Sequence, residues 1–153
     1  MPERFRMDDT QAMMQFSHDI EIDAPPSRVW PIMSGVERWH EWTASVRGIK
    51  RWGEGPLAVG QRALVRQPKF PPAVWTVTAV EPGLSFTWES VGPGIYVTGR
   101  HSIEPTAMGS RVTLSLTYDG VFGKLMGRLT SGITNRYIAM EAAGLKRRSE
   151  SGS

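Results

Sequence analysis

The stretch Ile22–Val46, IDAPPSRVWPIMSGVERWHEWTASV, decides how the chain is read. Upstream of it Phe16, His18, Ile20 and Ile22 alternate with Ser17, Asp19, Glu21 and Asp23, the period of a half-buried strand. Ala24-Pro25-Pro26 stops that strand. Ser27 is placed to cap a short helix carrying Val29, Trp30 and Met33 on one side. Pro31 lies near enough to the helix start to be tolerated at the cost of one hydrogen bond. Gly35 ends the helix, and VERWHEW (36–42) gives a second short helical turn. Trp30, Trp39 and Trp42 suit a packing role, plugging one end of a sheet with large rigid surfaces whose indole nitrogens need partners.

Downstream, strand-like segments are separated by turn residues. They run over Ser45–Arg51, Gln61–Gln67, Val74–Val80, Leu84–Glu89, Tyr96–Glu104 and Arg111–Tyr118. Seven strands with short connections predict an antiparallel sheet, and their alternation predicts one buried and one wet face. From Val121 the pattern changes: Phe122, Leu125, Met126, Leu129, Ile133, Tyr137 and Met140 recur at helical spacing. A helix over 121–148 would be roughly 40 Å long at ~1.5 Å per residue, enough to cross the sheet. A strand, two short helices, six strands and a long helix make an α+β layer arrangement, with the last helix held by a curved sheet.

The length of 153 residues fits one domain, expected over 15–148, with 1–14 as a flexible extension and 149–153 as a disordered tail. With 40% hydrophobic and 22% charged residues the composition is that of a globular protein. There is no cysteine, so disulfides and thiolate metal sites are excluded. No apolar run approaches the ~18 residues of a membrane span, and MPERFRMDDTQAMM is too polar for a signal peptide. A cytoplasmic location is the default. The net charge is +3, but the basic groupings Arg47-Lys50-Arg51 and Lys146-Arg147-Arg148 are isolated. A nucleic-acid partner is therefore not expected, because such binding needs several phosphates neutralised together.

The run Ile22–Val46 resembles the N-terminal signature of the START-like (SRPBCC) superfamily, in particular its polyketide cyclase/dehydrase-type members. VGQRALV (59–65), VWTVTAVEPGLSFTWE (74–89), RHSIEP (100–105) and GSRVTLSLTYDG (109–120) follow in the expected order. The likeness covers about residues 15–148. It implies the helix-grip (START/Bet v 1-like) fold and an internal cavity between sheet and long helix, used in related proteins for lipids, hormones, polyketides or other apolar compounds. It implies no shared catalytic residue, since the superfamily holds carriers, sensors and enzymes alike.

Within such a cavity the candidate ligand contacts are His18, Trp75, Trp88, Tyr96, His101, Leu114, Met126, Leu129, Ile133, Arg136 and Tyr137. His101 shares a strand face with Val97, Gly99 and Ile103, and His18 shares one with Phe16, Ile20 and Ile22. An inward imidazole can orient a ligand or exchange a proton, or simply be satisfied within the core. Arg136 stands at the edge of the helical stripe, where its guanidinium can hold a planar anion or snorkel to water. The parity of Arg62 and Arg66 is open. Gly127, Thr130, Ser131, Gly132 and Thr134 soften the long helix, at roughly 1 kcal/mol per glycine, and mark either a bend or a place of close packing.

His40-Glu41 lacks the second histidine of a metalloprotease helix, Gly92-Pro93-Gly94 opens no helix, and no GxSxG elbow is present. Neither a metal nor a cofactor is implied. The expected function is binding of a small apolar molecule, of lipid, aromatic or polyketide-like type. The alternative is a cyclase, aromatase or dehydratase with His101 as acid/base. The chain is expected to be a monomer or a weak homodimer, with Ile138 and Leu145 off the main stripe as a candidate contact.

Overall fold

The computed structural model describes residues 14–151. Strand β1 (Met14–Ile22) is followed by helix α1 (Pro26–Ser34) and a 3-10 turn (Val36–Glu41). Then come β2 (Gly48–Trp52), β3 (Arg62–Arg66), β4 (Ala73–Glu81), β5 (Ser85–Gly92), β6 (Ile95–Thr106) and β7 (Gly109–Asp119). Two helices, α2 (Gly123–Leu129) and α3 (Ser131–Ser151), complete the order. All neighbours in the sheet are antiparallel, in the order β1-β7-β6-β5-β4-β3-β2. The helix-grip architecture expected of the sequence is present.

Helix α1 begins two residues earlier than the Ser27 cap predicts. Pro25 is the N-cap, without a side-chain hydrogen bond, and Pro26 opens the first turn. The Pro25 carbonyl accepts the amides of Arg28 and Val29, so the fixed proline φ replaces a capping side chain. Trp39 is buried and donates its indole N–H to the Met33 carbonyl at 3.0 Å, which ties the 3-10 turn to α1. In β3 the buried residues are Ala63 and Val65, so Arg62 and Arg66 point outward.

The long C-terminal helix is two helices, and only part of the apolar stripe, Met126 and Tyr137, faces the sheet. Thr130 separates them at φ −104 and ψ 8. Its hydroxyl donates to the Met126 carbonyl at 2.8 Å, a local bond that competes with helix propagation, and weak helix formers follow at Ser131 and Gly132. Phe122, Leu125 and Leu129 are consequently exposed. The inward positions on α2 are Gly123 and Gly127. A Cβ at Gly127 would come within 2.8 Å of Met14, and one at Gly123 within 2.9 Å of the Tyr118 main chain. Close approach of helix to sheet is what these glycines permit.

Helix α3 packs chiefly along β1 and against α1. Ile138 and Leu145, expected at a dimer contact, are buried in the core. Gly144 lies against Trp42, where any Cβ would collide with the Trp42 carbonyl oxygen. The helix also outlasts the boundary expected at 148: Ser149 is fully buried, and the Glu150 carboxylate accepts the Asp23 amide at 2.8 Å and pairs with Lys146 at 2.7 Å. Those bonds fasten the last turn to the end of β1, so 149–151 are helix rather than tail. Residues 1–13 and 152–153 lie outside the described residues. No described helix is long and apolar enough to cross a membrane.

Candidate functional site

Between the inner face of the sheet and α2–α3 lies a cavity of about 390 Å³, within the size range of small-molecule sites. The sheet wall follows strand parity. Val97, Gly99 and His101 face inward on β6, Leu114, Leu116 and Tyr118 on β7, Trp88 on β5 and Trp75 on β4. Gly99 makes room for its cross-strand neighbour Trp88, since a Cβ there would stand 3.1 Å from the indole nitrogen. Trp75 and Trp88 lie 5.5 Å apart between ring centroids, tilted by 36°. Phe70, on the loop between β3 and β4, meets Tyr137 of α3 edge-on at 5.8 Å. The Tyr137 hydroxyl donates to the Pro68 carbonyl, pinning that loop to the helix.

The helical wall is more polar than the sheet wall. Thr134, Tyr137, Ile138 and Glu141 recur at i, i+3, i+4 and i+7, one face of α3. Tyr118, Thr130 and Thr134 form a hydroxyl cluster, with Tyr118 Oη 3.3 Å from Thr134 Oγ1 and 3.5 Å from Thr130 Oγ1.

Two titratable groups on these walls are strongly perturbed, both by loss of water. His101 lies flat on Phe86, with ring centroids 4.2 Å apart and 8° between planes, and is flanked by Trp39 and Trp88. Desolvation pushes its pKa down to about 4, against a smaller opposing pull from the Phe86 main chain. Its Nδ1 is buried with no hydrogen-bond partner of good geometry. Glu141 lines the cavity, and desolvation alone pushes its carboxyl up to about 8. At neutral pH both groups are predominantly uncharged, so the cavity is polar in places without carrying a full charge.

Of the residues singled out from sequence, the structure brings Trp75, Trp88, His101, Leu114, Met126 and Tyr137 together around the cavity. His18 lies on the inner face opposite Leu114 but outside the cavity, on the strand along which α3 packs. Tyr96 is exposed, because the parity that turns Val97 and His101 inward turns it out. Leu129 is exposed beyond the glycine face of α2, Ile133 is half-buried away from the lining, and Arg136 is exposed on the outer side of α3. Sequence reasoning passed over Glu141, although its spacing from Thr134 and Tyr137 places all three on one helical face. It also passed over Tyr118, which shares strand parity with Leu114 and Leu116.

The family model described as polyketide cyclase / dehydrase and lipid transport matches residues 13–150. The chain belongs to this family. Solved structures share its fold at low identity. Norcoclaurine synthase from Thalictrum flavum, solved as a point mutant with a transition-state analogue, superimposes with a TM-score of 0.70 at 16% identity, over 90% of this chain and 94% of that one. The Zhui aromatase/cyclase from Streptomyces sp. R1128 gives 0.68 at 15% identity, over 90% and 94%. A protein of Thermus thermophilus, TTHA0849, gives 0.69 at 19% identity, over 92% and 99%. No curated protein matches in sequence. These likenesses carry the fold of a polyketide cyclase-type protein, and the chemistry has to be argued from the cavity.

Proposed function

We propose that this polyketide cyclase-family protein takes up a small, largely apolar molecule in the cavity between its sheet and α2–α3. The observation that carries this is the cavity itself: about 390 Å³ of space walled by Trp39, Trp75, Trp88, Phe70 and Tyr137, with few polar groups. An unfilled apolar space forfeits dispersion contacts with every wall atom, so an occupant of matching shape recovers them. The hydroxyls of Tyr118, Thr130 and Thr134 supply a polar point by which such a ligand is oriented.

Holding a ligand is favoured over transforming one. With a pKa of about 4 and an imidazole stacked on Phe86, His101 stays neutral around pH 7 and is poorly poised to pass a proton there.

The test is a thermal-shift and calorimetric screen of one- and two-ring apolar compounds against the native chain and Val97→Trp. Val97 lines the cavity, and the larger side chain intrudes on it. A compound at one hundred times its Kd adds about 2.7 kcal/mol, or roughly 5–10 °C in Tm for a chain of this size. Val97→Trp should remain folded and lose the response. Binding unchanged in that variant would place the ligand elsewhere and refute the proposal.

A further inference from the structure

We infer that the ligand carries a basic nitrogen and that Glu141 is its counter-ion. The inference rests on the uptake proposed above and specifies which apolar molecules the cavity prefers.

Glu141 stands on the face of α3 that lines the cavity, one turn from Tyr137. It takes part in no hydrogen bond or salt bridge among the described residues, and burial is the sole cause of its shift. The other titratable groups on the cavity wall are His101 from β6, Tyr118 from β7 and Tyr137 from the same helix as Glu141. None of them is positively charged at neutral pH, and among the described residues no arginine or lysine lines the cavity. Glu141 is half-buried where it lines the cavity, and a carboxyl there without a protein partner is costly to ionise. It is retained at least cost where something arriving from outside completes it.

The surrounding chemistry narrows the partner to a cation or a base. Trp75 and Trp88 form a tilted pair and Phe70 meets Tyr137 edge-on, so aromatic side chains stand on both sides of the space. Ring faces attract cations, and they do so more strongly where water is excluded. Among the described residues a ligand carboxylate or phosphate would meet no cationic side chain, only hydroxyls, the neutral His101, the Gln67 amide that already donates to the Ser45 carbonyl, and Glu141 itself, which repels it once ionised. Fatty acids and acyl phosphates are therefore disfavoured, and apolar or aromatic amines and N-heterocycles are favoured.

Proton balance follows directly. At pH 7 the amine arrives from water as an ammonium and Glu141 is mostly a neutral acid. On binding, the acid proton leaves to solvent and an ammonium–carboxylate pair remains. The same bound state results if a neutral amine takes the proton from Glu141. One proton is shared between the two groups either way. Affinity therefore peaks between the Glu141 pKa of about 8 and the amine pKa of about 10. It falls up to tenfold per pH unit below that window.

Three probes with one bicyclic body separate the possibilities: naphthylethylamine, naphthylethanol and naphthylacetate. Isothermal calorimetry on the full chain at pH 8.5 should place the amine at least about tenfold above the alcohol, with the acid weakest, the range expected of a charge-assisted hydrogen bond. In buffers of different ionisation enthalpy at pH 7, amine binding should release close to one proton. Glu141→Gln keeps the shape, should bind the alcohol as before, and should bring amine and alcohol within about twofold with no proton released. If the amine shows no preference, or keeps it in Glu141→Gln, the counter-ion role is overturned while apolar uptake stands. If none of the three probes binds, uptake of compounds of this size is refuted along with it.

Discussion

His101 on the sheet wall and Glu141 on the helix wall both lose their water, and the outcome differs because their neighbours differ. His101 is enclosed by the rings of Phe86, Trp39 and Trp88, and Phe86 has no accessible surface. Glu141 projects from α3, which follows the break at Thr130, while the preceding α2 approaches the sheet on glycines at 123 and 127. The sheet wall is core that borders a void. The helix wall carries more of the polar groups that border the void and lies beside the break at Thr130.

The largest expected effect tests that contrast through stability. Trp39→Ala removes an indole that touches Trp42, Phe86, Trp88 and His101 and strands the Met33 carbonyl. It should cost about 3–5 kcal/mol in urea unfolding. Leu129→Ala on the exposed side of α2 should stay within about 0.5 kcal/mol. Comparable losses at both positions would remove the distinction between the two walls.

A smaller effect is a stability plateau in pH with two opposed origins. Glu141 has a folded pKa of about 8, above its ordinary 4.5. Its contribution is complete below pH 4.5 and is lost as pH rises through 8. His101 has a folded pKa of about 4, below its ordinary 6.5, so its contribution is present above pH 6.5 and lost as pH falls through 4. From pH 4.5 to 6.5 the two slopes cancel. From 6.5 to 8 only the Glu141 loss continues, about 2 kcal/mol in total. Glu141→Gln should abolish that decline and expose a rise of about 2 kcal/mol between about pH 5 and 6.5. Measurement above pH 5 avoids the surface carboxylates Glu41 and Glu150, which hydrogen bonds from Arg38 and from the Asp23 amide hold low. An unchanged profile in Glu141→Gln would mean that its carboxyl is hydrated in the free protein.

The two walls also differ in how far the sequence reveals them. Strand parity depends on a period of two, and neighbours in the sheet enforce it, so Trp75, Trp88, His101 and Leu114 follow from alternation alone. Tyr96 obeys the same parity and was misplaced only by the expectation that a large aromatic belongs inside. The helix wall follows a different logic. Large apolar residues at helical spacing normally mark the buried stripe, but α2 needs contact distances that only Gly123 and Gly127 permit, and the stripe of Phe122, Leu125 and Leu129 turns outward. Beyond Thr130 the inward face carries Thr134, Glu141 and Ser149, residues that no hydropathy pattern selects. The fold was legible because it rests on order and spacing. Half of the site was not, because it rests on small and polar residues whose burial is settled by tertiary approach.

The smallest expected effect is at Arg136, which separates the two accounts of the helix most directly. If the apolar stripe faced the cavity, a guanidinium at its edge would hold an anionic ligand group. In the structure Arg136 is exposed, and the inward face one turn on bears the opposite sign at Glu141. Arg136→Ala should leave stability within about 0.5 kcal/mol. It should also leave the calorimetric affinities of naphthylethylamine and naphthylacetate unchanged within about twofold, the screened contribution of an exposed charge being small. A selective loss of naphthylacetate binding would return the guanidinium to the site and reverse the predicted charge preference of the cavity. No change at Arg136, together with loss of the amine preference in Glu141→Gln, fixes the electrostatic character of the site on the carboxyl alone.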